Sequence, residues 1–293
     1  GGEIDTPNLD ALAMSGLRYA GFHTTPACAP TRAALLTGGD THRVGLGSMP
    51  ESMAPNQAGK RGYEGYLRAE TATLAERLAA AGYRTLYSGK WHLGVTPAQD
   101  PHARGFQHSF AMLNCCHNHF GLGLSPDRTK MSGYTRNGKL VTSLPADFYS
   151  SDYFADQLID QLRATRATPE GRKPFFAYHS FTAPHAPLQA PPEAIARYKG
   201  RYAAGYDVLR ENRLRRQREL GLVDPAAVPH HPVDTVPWAS LTPTEQAASA
   251  RKMEIYAAMV DHLDKAVGRV VADLKSSGEF DNTVIVFLSD NGA

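Results

Sequence analysis

The sequence predicts an α/β fold, a mostly parallel central sheet flanked by helices on both faces. Two observations carry this: apolar runs of strand length alternate with helical patterns along the chain, and the run at 174–181, PFFAYHSF, is apolar enough to be buried on both faces. A third concerns chemistry. Four of the predicted strands run directly into polar clusters, and in such folds ligands gather at the carboxyl ends of strands.

The elements follow in order. A helix opens at Pro7, with Thr6 as N-cap and Gly16 as the stop. LRYAGFHT (17–24) reads as a strand and Thr31 to Leu36 as a short helix. Thr73 and Glu76 form a capping box for LAERLAAAG, which stops at Gly82, and YRTLYSG (83–89) is the next strand. SSDYFADQLIDQLRATR (150–166) is an amphipathic helix that feeds the strand at 174–181. A long helix is capped by Thr242, Pro243 and Glu245, with Ile255, Met259, Leu263, Val267, Val270 and Leu274 on one face. TVIVFL (283–288) is the last strand. The stretches 107–133 and 224–240 read as loops, the second following a basic helix, DVLRENRLRRQREL. No internal repeat and no linker composition appears, so residues 1–293 read as a single domain. The chain enters a helix at once and ends five residues past a strand. It therefore reads as an internal piece of a longer protein, truncated at both ends.

The charge of +2 is spread without a basic stripe or acidic tail, which argues against a nucleic-acid partner. No apolar run approaches a membrane span, and no charged region followed by an apolar core marks a signal peptide. Three cysteines, Cys28, Cys115 and Cys116, make a poor disulfide framework and indicate no compartment, so localisation stays open.

The polar clusters are Cys28 with Arg32, Lys90 with His92, His185, and Asp290 with Asn291. Singly, each has a plain structural explanation: a buried small cysteine, a solvated arginine, a turn after a strand, a loop histidine, a turn composition. Together, if the strands are parallel, they meet on one edge. Cys115 and Cys116 with His117 and His119 suggest a metal site, but adjacent cysteines chelate one ion poorly, so these read as loop residues near an entrance.

With these residues assembled, the chain resembles the formylglycine-dependent (type I) sulfatases of the alkaline-phosphatase superfamily, the bacterial arylsulfatases above all. CAPTR (28–32) fits the C-x-P-x-R signature, and GYRTLYSGKWH (82–92) fits the second signature along its length. IDTPNLDALAMSGLRY, APHAPLQAP and VIVFLSDNGA are also similar to the family, so the likeness covers almost the whole chain. Ala27 departs slightly, standing where a larger aliphatic residue, Ser or Thr is usual.

The resemblance implies hydrolysis of aryl or alkyl sulfate esters, with Cys28 oxidised by a formylglycine-generating enzyme to Cα-formylglycine. One hydroxyl of the aldehyde hydrate would attack sulfur, and the second would expel sulfate. Arg32 would hold the nucleophile, Lys90 the sulfate oxygens, His92 would act as base, and His185 would contact sulfate and the leaving-group oxygen. Asp290, Asn291 and the Cys28 position would bind a metal, Ca²⁺ rather than Mg²⁺. Two further metal-binding aspartates and a lysine of the family pattern have no counterpart in these residues, which implies weak calcium binding and little activity for this stretch alone. The runner-up function is a phosphonate or phosphate ester hydrolase of the same superfamily. A non-catalytic fragment serving as a binding surface comes third.

Overall fold

Residues Arg84–Lys90 are buried from end to end, and their alternation divides the core around them. In chain order the helices are α1 (Pro7–Ser15), α2 (Cys28–Thr37), α3 (Leu74–Ala80), α4 (Ser150–Arg166), α5 (Pro192–Ala196), α6 (Gly205–Glu219) and α7 (Pro243–Ser276). The strands are β1 (Arg84–Lys90), β2 (His108–Met112), β3 (Tyr134–Arg136), β4 (Lys139–Leu140) and β5 (Phe175–Ser180). This computed structural model describes residues 2–226 and 236–292. The chain divides into two compact units, one of Gly1–Phe22 with Leu188–Gly268, the other of His23–Pro187 with Arg269–Ala293.

The second unit holds a five-stranded sheet in the order β4-β3-β2-β1-β5. β2 and β5 flank β1 and run parallel to it, while β3 and β4 extend the β2 side antiparallel. The sheet is therefore mixed, where a mostly parallel one was expected. On one face Tyr87, Trp91, Phe106, Phe176 and Tyr178 pack against Ala29, Ala33 and Leu36 of α2 and Ala75 of α3. On the other, Leu86 packs with Phe175 and Ala177 against Leu158 and Leu162 of α4 and Val270 and Leu274 of α7. Helices thus flank the sheet as its period of two requires.

α4 begins and ends where its amphipathic pattern does. Both expected capping boxes form. Thr73 Oγ1 accepts from Glu76 N–H while the Glu76 carboxylate accepts from Thr73 N–H, and Thr242 and Glu245 do the same. In the first unit Thr6 makes no capping bond to the α1 backbone. The buried carboxylate of Asp264 takes that place, accepting from the N–H groups of Asn8 and Leu9.

Two expected strands are absent. Residues 17–24 and 283–288 are not paired with a neighbour among the described residues, and Leu17, Tyr19, Val284, Val286 and Phe287 are exposed. An apolar run becomes a strand only when another strand takes its N–H and C=O groups. The reverse error lies at 107–133, read as loop, which contains β2. His-Ser-Phe-Ala-Met is short and opens with two polar residues, yet Phe110, Ala111 and Met112 are fully buried. Of the 224–240 segment, residues 227–235 lie outside the described residues.

Candidate active site

β1, β2 and β5 are parallel, so their carboxyl ends share one edge. The chain leaving β1 stays bonded to β2: Trp91 N–H donates to Met112 O at 2.8 Å and His92 N–H to Leu113 O at 3.0 Å. Trp91 is fully buried, its Nε1–H donating to Gln99 O, and acts as a peg between Lys90 and His92. His92 takes a φ of 60°, which non-glycine residues rarely adopt and which marks strain held by its surroundings. Gly89 is required three residues earlier, inside β1. At φ 126° any Cβ would lie 1.7 Å from the carbonyl of Ser180, its register partner on β5.

Cys28 is the first residue of α2, not the loop residue before it, and is 5% exposed. Its Sγ lies 3.2 Å from His92 Nδ1 and 3.7 Å from Met49 Sδ. Burial opposes the thiolate, but hydrogen bonds with His92 and Lys90 and their charges outweigh it, bringing the thiol down to about 7. Burial likewise depresses His92, and its hydrogen bonds to Cys28 and Glu51 overcome this and raise it.

Sequence reasoning missed Glu51. Its carboxylate accepts from His92 Nε2 at 2.9 Å and is drawn down to about 2, burial raising it and His92 more than reversing that. Nothing local to the segment Met49–Met53 signals the role; only the fold brings Glu51 to a histidine 41 residues on.

Arg32 is 4% exposed and satisfied throughout: Nε donates to Trp91 O at 3.0 Å, Nη1 to Asp290 Oδ2 at 3.1 Å, and Nη2 to Lys90 O, Ser180 Oγ and the Tyr87 hydroxyl. Its charge survives burial because Tyr178, Tyr87 and Asp290 hold it. Arg32 thus bonds the β1 turn and Asp290. Asn291 turns its Nδ2–H to Gly292 O at 2.5 Å. His185 stands exposed, its Nδ1 against Ala186 O at 2.8 Å and its own carbonyl accepting from His119 Nε2 at 3.0 Å. Lys90 is 3% exposed.

His117 bonds to Tyr134 Oη and Leu122 O, and His119 to Ser150 Oγ, so neither histidine joins the vicinal cysteines in a local chelate. Cys115 instead has Cys116 Sγ at 3.2 Å and belongs to a trio with Glu51 and His92 whose donor atoms all lie within 4.8 Å of one another.

Asp290 and Asn291 offer hard oxygen donors of the kind Ca²⁺ or Mg²⁺ takes, so the donor set fits such an ion in kind. No helix of the described residues is long and apolar enough to cross a membrane.

A buried cysteine thus lies beside an imidazole, with Lys90 and Arg32 buried nearby, on the carboxyl edge of an α/β sheet, an arrangement able to hold an anion next to a nucleophile and a base. The family model described as Sulfatase matches residues 1–293, and the chain belongs to that family. An uncharacterized sulfatase of Schizosaccharomyces pombe is 50% identical over 305 residues, covering 100% of this chain and 54% of that protein. An arylsulfatase of Klebsiella aerogenes is 43% identical over 296 residues, covering 100% of this chain and 62% of that one. The chain thus spans little more than half the length of these relatives. The crystal structure of Ps i-CgsB in complex with k-i-k-neocarrahexaose superposes with a TM-score of 0.65 at 24% identity, over 95% of this chain and 51% of that one, which shows the fold. The sulfatase family generally uses a metal ion and a formylglycine.

Proposed function

We propose that this chain carries the nucleophile of a sulfuric ester hydrolase that cleaves aryl or alkyl sulfate esters to alcohol and sulfate. The observation that carries it is the Cys28 Sγ–His92 Nδ1 contact of 3.2 Å beside buried Lys90. Residues 1–293 would belong to one catalytic domain, since the family match runs through both units.

Oxidised to formylglycine by a generating enzyme, Cys28 would supply a hydrated aldehyde whose geminal hydroxyls attack sulfur and then release sulfate. His92 faces that side chain through Nδ1 and would accept its proton, with Glu51 holding the other ring nitrogen. Lys90, buried and interacting with the Cys28 side chain, would bind sulfate oxygens as negative charge builds on them. Arg32 would fix the β1 turn and keep a positive charge behind the nucleophile. His185, exposed at the same edge, would contact the sulfate and the leaving-group oxygen. Asp290, Asn291 and the modified Cys28 would hold the metal, Ca²⁺ by preference, which would lower the charge on the nucleophile and the bound ester.

The test is the mass of the tryptic peptide Tyr19–Arg32 from protein made in its native host, with rates on nitrophenyl sulfate, phosphate and phosphonate. An aldehyde in place of CH₂–SH, and sulfate as the preferred ester, is the expected result. An unmodified cysteine in a host that matures other such enzymes, or preference for the phosphonate, overturns it.

A further inference from the structure

Next to the cluster of Cys28, Arg32 and Asp290, and sharing His92 with it, the described residues gather a further set of chemically able groups. Glu51 lies in the single 3-10 turn Pro50–Ser52 after α2, His92 follows β1, and Cys115 follows β2. Their ligating atoms lie within 4.8 Å of one another. A carboxylate, an imidazole and a thiol are a mixed donor set that the hard oxygen-seeking ions do not choose. Zinc-like ions do, commonly binding three such protein ligands and leaving a fourth position open. Cys115 and His92 are buried, whereas the Glu51 side chain is 41% exposed and leaves a way in from solvent. Cys116 Sγ, 3.2 Å from Cys115 Sγ, can relieve or share the thiolate's charge.

We propose that Glu51, His92 and Cys115 form a second metal site, selective for a borderline divalent cation such as Zn²⁺ and distinct from the hard-ion site of Asp290 and Asn291. On binding, the Cys115 thiol proton is released to solvent, and the proton that His92 Nε2 gives to Glu51 also leaves, to solvent from the imidazolium or to Nδ1 from the neutral ring, so that the ion takes Nε2. A neutral imidazole metallated at Nε2 keeps its proton at Nδ1. His92 would then present an N–H to the Cys28 side and could no longer accept a proton there, so occupancy of the site would silence the base. This consequence rests on the function proposed above; the site itself does not.

The experiment is a titration of the purified, chelator-stripped chain with Cd²⁺, a zinc analogue whose thiolate complexes absorb in the near ultraviolet. Zn²⁺ and then Ca²⁺ serve as competitors. One equivalent should generate the charge-transfer band, Zn²⁺ should remove it, and excess Ca²⁺ should leave it. Cys115→Ser should abolish the band. Glu51→Gln should weaken binding by about tenfold or more, the scale on which ligand and near-ligand changes act. Cys28→Ser and Asp290→Asn should leave both band and affinity in place, with circular dichroism confirming that each variant is folded. A band that survives Cys115→Ser, or that disappears with Cys28→Ser, places the ion between Cys28 and His92 and overturns the proposal, as does no band at micromolar Cd²⁺. None of these outcomes depends on maturation of Cys28, so they are read independently of sulfate-ester turnover.

Discussion

The guanidinium of Arg32 meets the carboxylate of Asp290 at 3.1 Å, joining residues 258 positions apart. Arg32 is buried and Asp290 is 32% exposed on its side chain, so the pair straddles the boundary of the core. Removing the exposed partner leaves a buried cation that still has carbonyl and hydroxyl acceptors. Removing Arg32 strands those acceptors. We expect Asp290→Ala to cost about 1 kcal/mol and Arg32→Met about 3 kcal/mol or more, read as shifts in the urea midpoint. Equal costs would show that the pair, and not the wider set of bonds to Arg32, sets its place.

The Cys28 thiol is an acid lowered from its ordinary 9.0 to about 7. Its anion therefore contributes stability fully above pH 9, and that contribution is lost as pH falls through about 7. In unmodified protein, iodoacetamide should label the Tyr19–Arg32 peptide with a midpoint near 7, not 9. Glu51→Gln removes a partner that favours protonated His92 and should move that midpoint upward. An unchanged midpoint would mean that Lys90 alone stabilises the thiolate.

Glu51 is the opposite limb of the same arrangement. Its carboxyl, lowered to about 2, stabilises the fold above its ordinary 4.5 and loses that effect as pH falls toward 2. His92 is raised, so its contribution is complete below its ordinary 6.5 and fades as pH rises through the folded value. Wild-type protein should therefore lose thermal stability below pH 4.5 faster than Glu51→Gln does, a difference that melting curves across pH 2 to 6 would expose.

Asp290 and Asn291 are two side-chain oxygen donors where calcium takes six to eight. Calorimetry on this chain should show Ca²⁺ binding no tighter than roughly millimolar, the weak end of protein sites, and Asp290→Asn should abolish it. Micromolar affinity would show that other groups complete the coordination shell.

Gly89→Ala should be among the most damaging single changes, because the new methyl meets the Ser180 carbonyl and the backbone stands at φ 126°. A loss of about 4 kcal/mol or failure to accumulate as soluble protein is expected, well beyond the usual range for point changes. Gly82→Ala, with open space around it but φ 88°, should cost about 1 kcal/mol.

What could be read in the sequence was what depends on near neighbours. The capping boxes at Thr73 and Thr242 need only three residues, and α4 carries its own apolar stripe, so these elements stand where expected. Lys90 and His92 also lie where a strand exit was expected, Lys90 as the last residue of β1 and His92 two residues on. Strands were less legible. TVIVFL has the composition of a buried strand and is exposed, while HSFAM lacks it and lies beside β1, since pairing depends on distant chain. Glu51 was invisible for the same reason: its partner is not local. The cap of α1 by Asp264 is another case, a helix end satisfied from 255 residues away.

The Trp91 and His92 amides hang from the carbonyls of Met112 and Leu113, backbone to backbone. Side chains along β2 can therefore be exchanged for others of similar volume without moving the histidine. Inserting or deleting one residue between His108 and Leu113 is another matter. It would hand those amides to different carbonyls, turn Phe110 and Met112 to the opposite face, and carry Cys115 away from Glu51. Members of the family should accordingly vary in what β2 spells and agree in how many residues it counts.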